Sequence, residues 1–118
     1  MMTGCLQIAP FFDHVAMVVF QTSATTLYSF TSPQDTPDFV STAVNGIPFP
    51  YGETNTPAGL NLAYQALLTS NGGRPQAQKI VILLTDGQTT TAFRPGLLAA
   101  TQALINANTT RVGAWRRC

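Results

Sequence analysis

The spacing of hydrophobic positions changes several times along the chain, and each change marks an element. Residues 15–20, Val-Ala-Met-Val-Val-Phe, form a short and nearly continuous apolar run rich in β-branched side chains. That is the pattern of a strand buried on both faces. Residues 26–30 alternate, with Leu27 set apart from the aromatic pair Tyr28 and Phe30, and predict a half-buried or edge strand. The short link between the two runs suits an antiparallel hairpin. Turn chemistry follows at 32–37, where Asp35 or Thr36 can cap a helix that carries Pro37 at its first position, the place where a missing N–H does no harm. Phe39, Val40, Ala43, Val44 and Ile47 come next at helical spacing, and Gly46 and Pro48 stop the helix.

A rigid loop at 48–52 then delivers Glu53-Thr54-Asn55-Thr56. A second helix is expected from Pro57, capped by Thr56, to about Thr69, with Leu60, Ala63, Tyr64, Leu67 and Leu68 as its apolar stripe. Asn71-Gly72-Gly73 ends it. Lys79 leads into Ile80-Val81-Ile82-Leu83-Leu84, the clearest buried strand in the sequence, which terminates in Thr85-Asp86-Gly87. The pattern predicts a third helix over 95–107, with Leu97, Leu98, Ala100, Leu104 and Ile105 as core candidates, and the start of another strand at 110–115. Buried strands separated by amphipathic helices predict an open α/β sheet covered on both faces.

Composition narrows the class. At 118 residues the chain holds one domain. Apolar residues make up 45% and charged residues 9%, against about 25% charge in an average soluble domain. A disordered chain needs the opposite balance. This one fits a compact core with a thin charged shell, or a piece cut from a larger domain. The net charge of +1 supplies no field for nucleic acid or an anionic membrane surface, and the basic end at Arg111, Arg116 and Arg117 reads as solvated. No apolar run approaches the ~20 residues of a bilayer span, so no membrane insertion is expected. Residues 1–12 lack the basic leader and apolar stretch of a signal peptide. Cys5 and Cys118 are too few for a disulfide framework and lack metal-type spacing; a bridge between them and two free thiols both stay open.

Candidate chemistry lies at Asp86. Ligands of open α/β sheets bind outside the carboxyl ends of the strands, and Asp86 directly follows the most hydrophobic strand. A carboxylate is costly to bury alone, so it should meet solvent, a hydrogen-bond donor or a cation. An isolated Asp-Gly reads first as a solvated turn. Adding Gly52-Glu53-Thr54-Asn55-Thr56 changes that reading. A strand ending in Thr-Asp-Gly, preceded by Gly-x-Thr-x-Thr at the mouth of a helix, resembles the von Willebrand factor A family. Residues 15–20 with the polar turn after them resemble that family's second strand and hairpin. Gly52 through Leu60 resembles its Gly-x-Thr-x-Thr-x-x-x-Leu segment. Gly72-Gly73-Arg74, with Lys79 to Gln88, resembles the matrix-type members such as collagens and matrilins.

The resemblance implies a three-layer αβα, Rossmann-like open sheet over residues 1–118, here a single partial domain lacking the first central strand and the last strand and helix. It also implies a non-enzymatic adhesion module, extracellular or at the cell surface, with a metal-ion-dependent adhesion site. The family's cation, usually Mg²⁺ with Mn²⁺ or Ca²⁺ as alternatives, takes ligands from an Asp-x-Ser-x-Ser loop, a threonine and the aspartate of Thr-Asp-Gly. By position the threonine is Thr54 and the aspartate Asp86, with Asn55, Thr56 and Gly87 beside the bound ligand. The partner implied is a protein presenting an acidic residue. Asp-x-Ser-x-Ser is nowhere in this sequence, and two oxygen ligands cannot supply what an octahedral ion needs. Metal binding is therefore expected to be weak or absent, and the chain is expected to be a fragment, an incomplete gene model or a decayed copy.

Three other classes compete. A dehalogenase-like phosphotransfer enzyme wants an aspartate nucleophile where this chain has Leu84, and a receiver wants a late lysine where the only lysine, Lys79, precedes the strand. A hydrolase needs a nucleophile, base and orienter, and the single histidine, His14, lies at the opposite end of its strand from the rim bearing Asp86. A structural remnant of the fold would share every element and bind no metal.

Overall fold

The computed structural model describes residues 13–32, 37–47, 51–85, 87–107 and 109–115. Cys5, Cys118 and Asp86 lie outside them. Two strands open the described part, β1 (Met17–Phe20) and β2 (Ala24–Tyr28). They pair antiparallel through a three-residue turn, with Phe20 opposite Ala24 and a register irregularity at Met17/Val18. The expected hairpin forms; β1 starts two residues later than the sequence reading and ends at the same residue, and β2 lies two residues earlier.

Helix α1 (Pro37–Asn45) follows, with Asp38 in its first turn, where a negative charge complements the exposed N–H groups. Helix α2 (Thr56–Leu67) starts one residue before the predicted Pro57, and its cap is Asn55, whose side chain accepts from the Ala58 N–H. Thr56 is thus the first helical residue instead of the cap. The helix ends at Leu67 and a short 3-10 turn (Thr69–Asn71) closes on Gly72, so the Gly-Gly pair does act as a stop. Strand β3 (Lys79–Leu84) runs parallel to β4 (Thr109–Trp115). Between them lie a 3-10 turn (Thr91–Gly96) and helix α3 (Leu97–Asn106). The predicted helix start at 95 fell inside that turn, because Pro95 interrupts regular α-helical bonding.

Two clusters hold these elements together. Tyr28 and Val40 are buried together, with Val15, Met17 and Ala43 against them, and fix α1 on the first hairpin. Leu60, Ala100 and Leu104 form the second cluster, with Tyr64, Leu67, Val81 and Leu97 packed around it. It joins α2, α3 and β3. Phe20 meets α2 at Gly59, where an added Cβ would stand 2.7 Å from the Phe20 ring.

Several expected core positions are exposed instead. Leu98 is 77% exposed, and Ile105 and Val44 also face outward. On α3 the inward positions are Leu97, Ala100 and Leu104, spaced three and four apart. Leu98 and Ile105 each sit about 100° away from a buried neighbour. Strand β3 was expected to be buried on both faces and is not: Ile80, Ile82 and Leu84 are 54%, 50% and 64% exposed, while Val81 joins the second cluster. Period two puts the three on one face, which no described element covers. Among the described residues the strands form two ribbons, β1–β2 and β3–β4, with no ladder between β1 and β3.

Candidate functional site

The loop before α2 is held from two sides. On one side it meets the hairpin turn. The Asn55 N–H donates to the Gln21 carbonyl (2.9 Å) and the Asn55 Nδ2 to the Thr22 carbonyl (2.9 Å). The Glu53 N–H donates to Thr22 Oγ1 (3.2 Å). Gly52 is what lets the chain come this close. Its φ is +146°, and a Cβ there would stand 2.8 Å from Gln21 Oε1 and 2.9 Å from Thr22 Oγ1. The glycine of Gly-x-Thr is therefore required by steric contact as well as by backbone shape.

On the other side the same loop meets the segment after β3. The Thr54 N–H donates to Thr90 Oγ1 (3.0 Å), and the Thr90 N–H donates to the Thr54 carbonyl (3.0 Å). These two bonds clasp the backbone of Thr54 from both sides. Thr89 Oγ1 donates to Thr56 Oγ1 (2.7 Å). Arg94 steadies the segment further, with Nε donating to the Thr89 carbonyl and Nη2 to Gln88 Oε1, both at 3.2 Å. Thr85 Oγ1 bridges to Gly87, accepting from its N–H (3.3 Å) and donating to its carbonyl (3.2 Å).

The two loops therefore meet at one rim, and Gly87 stands at Thr54: a Cβ on Gly87 would lie 3.5 Å from Thr54 Oγ1. Asp86 itself lies outside the described residues, but both of its neighbours in sequence belong to this rim. The hydroxyls divide by role. Thr56 is buried, at 4% exposure, and its hydroxyl is engaged by Thr89. The Asn55 amide is used at both ends, Oδ1 by the helix cap and Nδ2 by Thr22. Thr54 is half-buried, and its Oγ1 has no hydrogen-bond partner among the described residues. Of the residues singled out in the sequence, Gly87 is exposed, Thr54 Oγ1 is unbonded among the described residues, and Asn55 and Thr56 hold the loop in place.

In kind, a hydroxyl and a carboxylate suit a hard divalent cation; in number, they leave most of an octahedron to water. Among the described residues no three His, Cys, Asp or Glu side chains gather. An open cleft of about 450 Å³ lies near the rim, between the hairpin turn and α2, lined by Thr22, Ser23, Asn55, Asn61 and Gln65 among others. Thr54 and Gly87 do not line it.

Sequence reasoning did not single out Thr22, Thr90 or Arg94. The first two are more than 30 residues from the backbone groups they bond, so no local pattern marks them. The only visible hint was the hydroxyl run Thr89-Thr90-Thr91 just after Asp86.

Fold and rim together describe an α/β module with two loops joined at one edge, and comparison with known proteins identifies the class. The chain matches the von Willebrand factor type A domain over residues 2–114. It belongs to that family. A crystal structure of manganese-loaded Plasmodium vivax TRAP protein is similar in fold, with a TM-score of 0.74 and 24% sequence identity. The match covers 95% of this chain and 44% of that one, so the chain spans less than half the length of this structural relative. No curated protein sequence matches.

Proposed function

We propose that the chain is a non-enzymatic protein-binding module of the adhesion type, engaging its partner at the rim where residues 52–56 meet 85–90. The observation that carries this reading is the Thr54 clasp. Three hydrogen-bonding groups from a distant segment fix the loop's position, while Thr54 Oγ1 has no hydrogen-bond partner among the described residues.

Thr54 and Asp86 are the proposed donors to a divalent cation, Mg²⁺ with Mn²⁺ or Ca²⁺ as substitutes, and Asn55, Thr56 and Gly87 frame the position of the incoming ligand. A cation bound there would supply a positive charge for an acidic residue of a partner protein. The manganese in the structurally similar TRAP protein agrees with this choice of ion. With only two protein donors the affinity is expected to be low, since each missing carboxylate removes both charge and a fixed oxygen. Family membership and the likeness to the TRAP protein support an extracellular or cell-surface location. Among the described residues no helix is long and apolar enough to cross a membrane. Phosphotransfer finds no support, because Leu84 occupies the place of the required nucleophile.

Isothermal titration with MgCl₂ and MnCl₂ tests the reading, comparing the wild type with Asp86→Ala and Thr54→Val. Saturable heat in the wild type that both substitutions abolish supports the cation site. Absence of heat in all three would favour the alternative, a structural remnant of the fold without a working site.

A further inference from the structure

The cleft of about 450 Å³ between the hairpin turn and α2 is a feature separate from the Thr54 clasp. Ala58, Asn61, Leu62 and Gln65 of α2 reach it, and their spacing of three and four puts them on one stripe of the helix. A different stripe, Leu60, Tyr64 and Leu67, packs into the second core cluster. Thr22 and Ser23 of the turn line the cleft from the other side. Ser23, Asn61 and Gln65 are exposed, and their side-chain polar groups have no hydrogen-bond partner among the described residues. Tyr51 brings an aromatic ring to the same neighbourhood: it is 85% exposed and precedes Gly52, which abuts Gln21 and Thr22.

We propose that this cleft binds a neutral oligosaccharide, with Asn61, Gln65, Ser23 and Thr22 bonding its hydroxyls and Ala58 and Leu62 meeting its C–H face. The lining selects that chemistry. None of the residues around the cleft is ionisable, so a charged ligand would lose hydration without gaining a counter-charge. Carboxamides and hydroxyls both donate and accept, and they match a ligand that does both at adjacent atoms. Ala24, Ala58 and Leu62 add apolar surface between the polar groups, which suits a ligand with one face of C–H groups. Vicinal hydroxyls bordering a C–H face describe a pyranose ring. From Ala58 to Gln65 the stripe runs about 10 Å at 1.5 Å per residue, room for about two such rings. The volume falls within the range of ordinary small-ligand sites. Uncharged contacts in an open cleft give a Kd of about 1–10 mM. Neither Thr54 nor Gly87 lines the cleft, so the site stands apart from the cation reading.

The test is an NMR titration of the full 118-residue chain, isotope-labelled and kept in EDTA so that the result is independent of the metal. The probes are cellobiose, lactose and chitobiose, each taken to about 50 mM. Sialyllactose serves as the charged control and acetyl-trialanine amide as the peptide control. At least one disaccharide is expected to give saturable shifts centred on Thr22, Ser23, Asn61 and Gln65. Replacing both Asn61→Ala and Gln65→Ala exchanges two exposed helical side chains for the strongest helix former. That double variant should bind roughly tenfold more weakly with an unchanged circular dichroism spectrum. Ser23→Asp, on the exposed turn, sets a charge in the cleft and should weaken binding by a similar factor without touching the helix. No saturable shift with any disaccharide would overturn the proposal. So would shifts centred elsewhere, full affinity in both variants, or tighter binding of the peptide or the sialylated sugar.

Discussion

The two ribbons make an instructive pair. Strand β3 is the more hydrophobic of the inner strands, with five aliphatic residues in six, yet three of them stand more than half or half exposed. Strand β1 is shorter and all four of its residues are partly buried. The difference lies in what covers each. Met17 points to the cluster around Val40 of α1, whereas Phe20, on the opposite face, packs at Gly59 of α2. Helices thus cover both faces of β1. Strand β3 has α2 and α3 on one face and no described element on the other. Hydropathy tells which residues favour burial; only the neighbouring layer determines whether they achieve it.

Four substitutions would break or sharpen that contrast. The largest effect belongs to Leu104→Ala, which empties the fully buried centre of the cluster under the second ribbon. It should cost about 2–5 kcal/mol in urea unfolding, and a loss below 1 would mean that β3 is not anchored there. Gly59→Ala acts on the other ribbon by forcing a methyl against Phe20. Overpacking of this kind costs about 1–3 kcal/mol, measurable as a lowered urea midpoint. An unchanged midpoint would show that the β1–α2 seam yields easily. Asn55→Ala removes the cap of α2 and the tether to Thr22, with an expected loss of about 1 kcal/mol that thermal melts would report. Ile82→Thr should be nearly silent, within about 0.5 kcal/mol, since its side chain is already half in solvent. A cost near that of Leu104→Ala would refute the open face and the comparison with it.

Much of the fold was legible because element type follows period. The hairpin, three helices and the strand at 79–84 all fall where apolar spacing placed them. What was not legible was facing. Leu98 and Ile105 match helical spacing as well as Leu97 and Leu104 do, and a sequence cannot say which of two adjacent stripes meets a sheet. Asn55 is the better N-cap of the two by type, and it takes that place while the Thr56 hydroxyl is engaged by Thr89. At the rim, Thr54 was singled out through a motif and stands at Gly87, while its expected companion Asp86 lies outside the described residues. Thr90 and Thr22 stayed hidden because hydrogen bonds across 30 or more residues leave no periodic trace.

Asn55 has a consequence of its own. Its carboxamide gives a proton to one strand turn and takes one from the first turn of a helix, so a single planar group ties three segments into one piece. Aspartate would keep the second bond and set a negative oxygen against the Thr22 carbonyl. Serine would be too short for both. Among short side chains only asparagine is two-handed at this reach, so this position tolerates far less chemical variety than its place on a partly exposed loop would suggest.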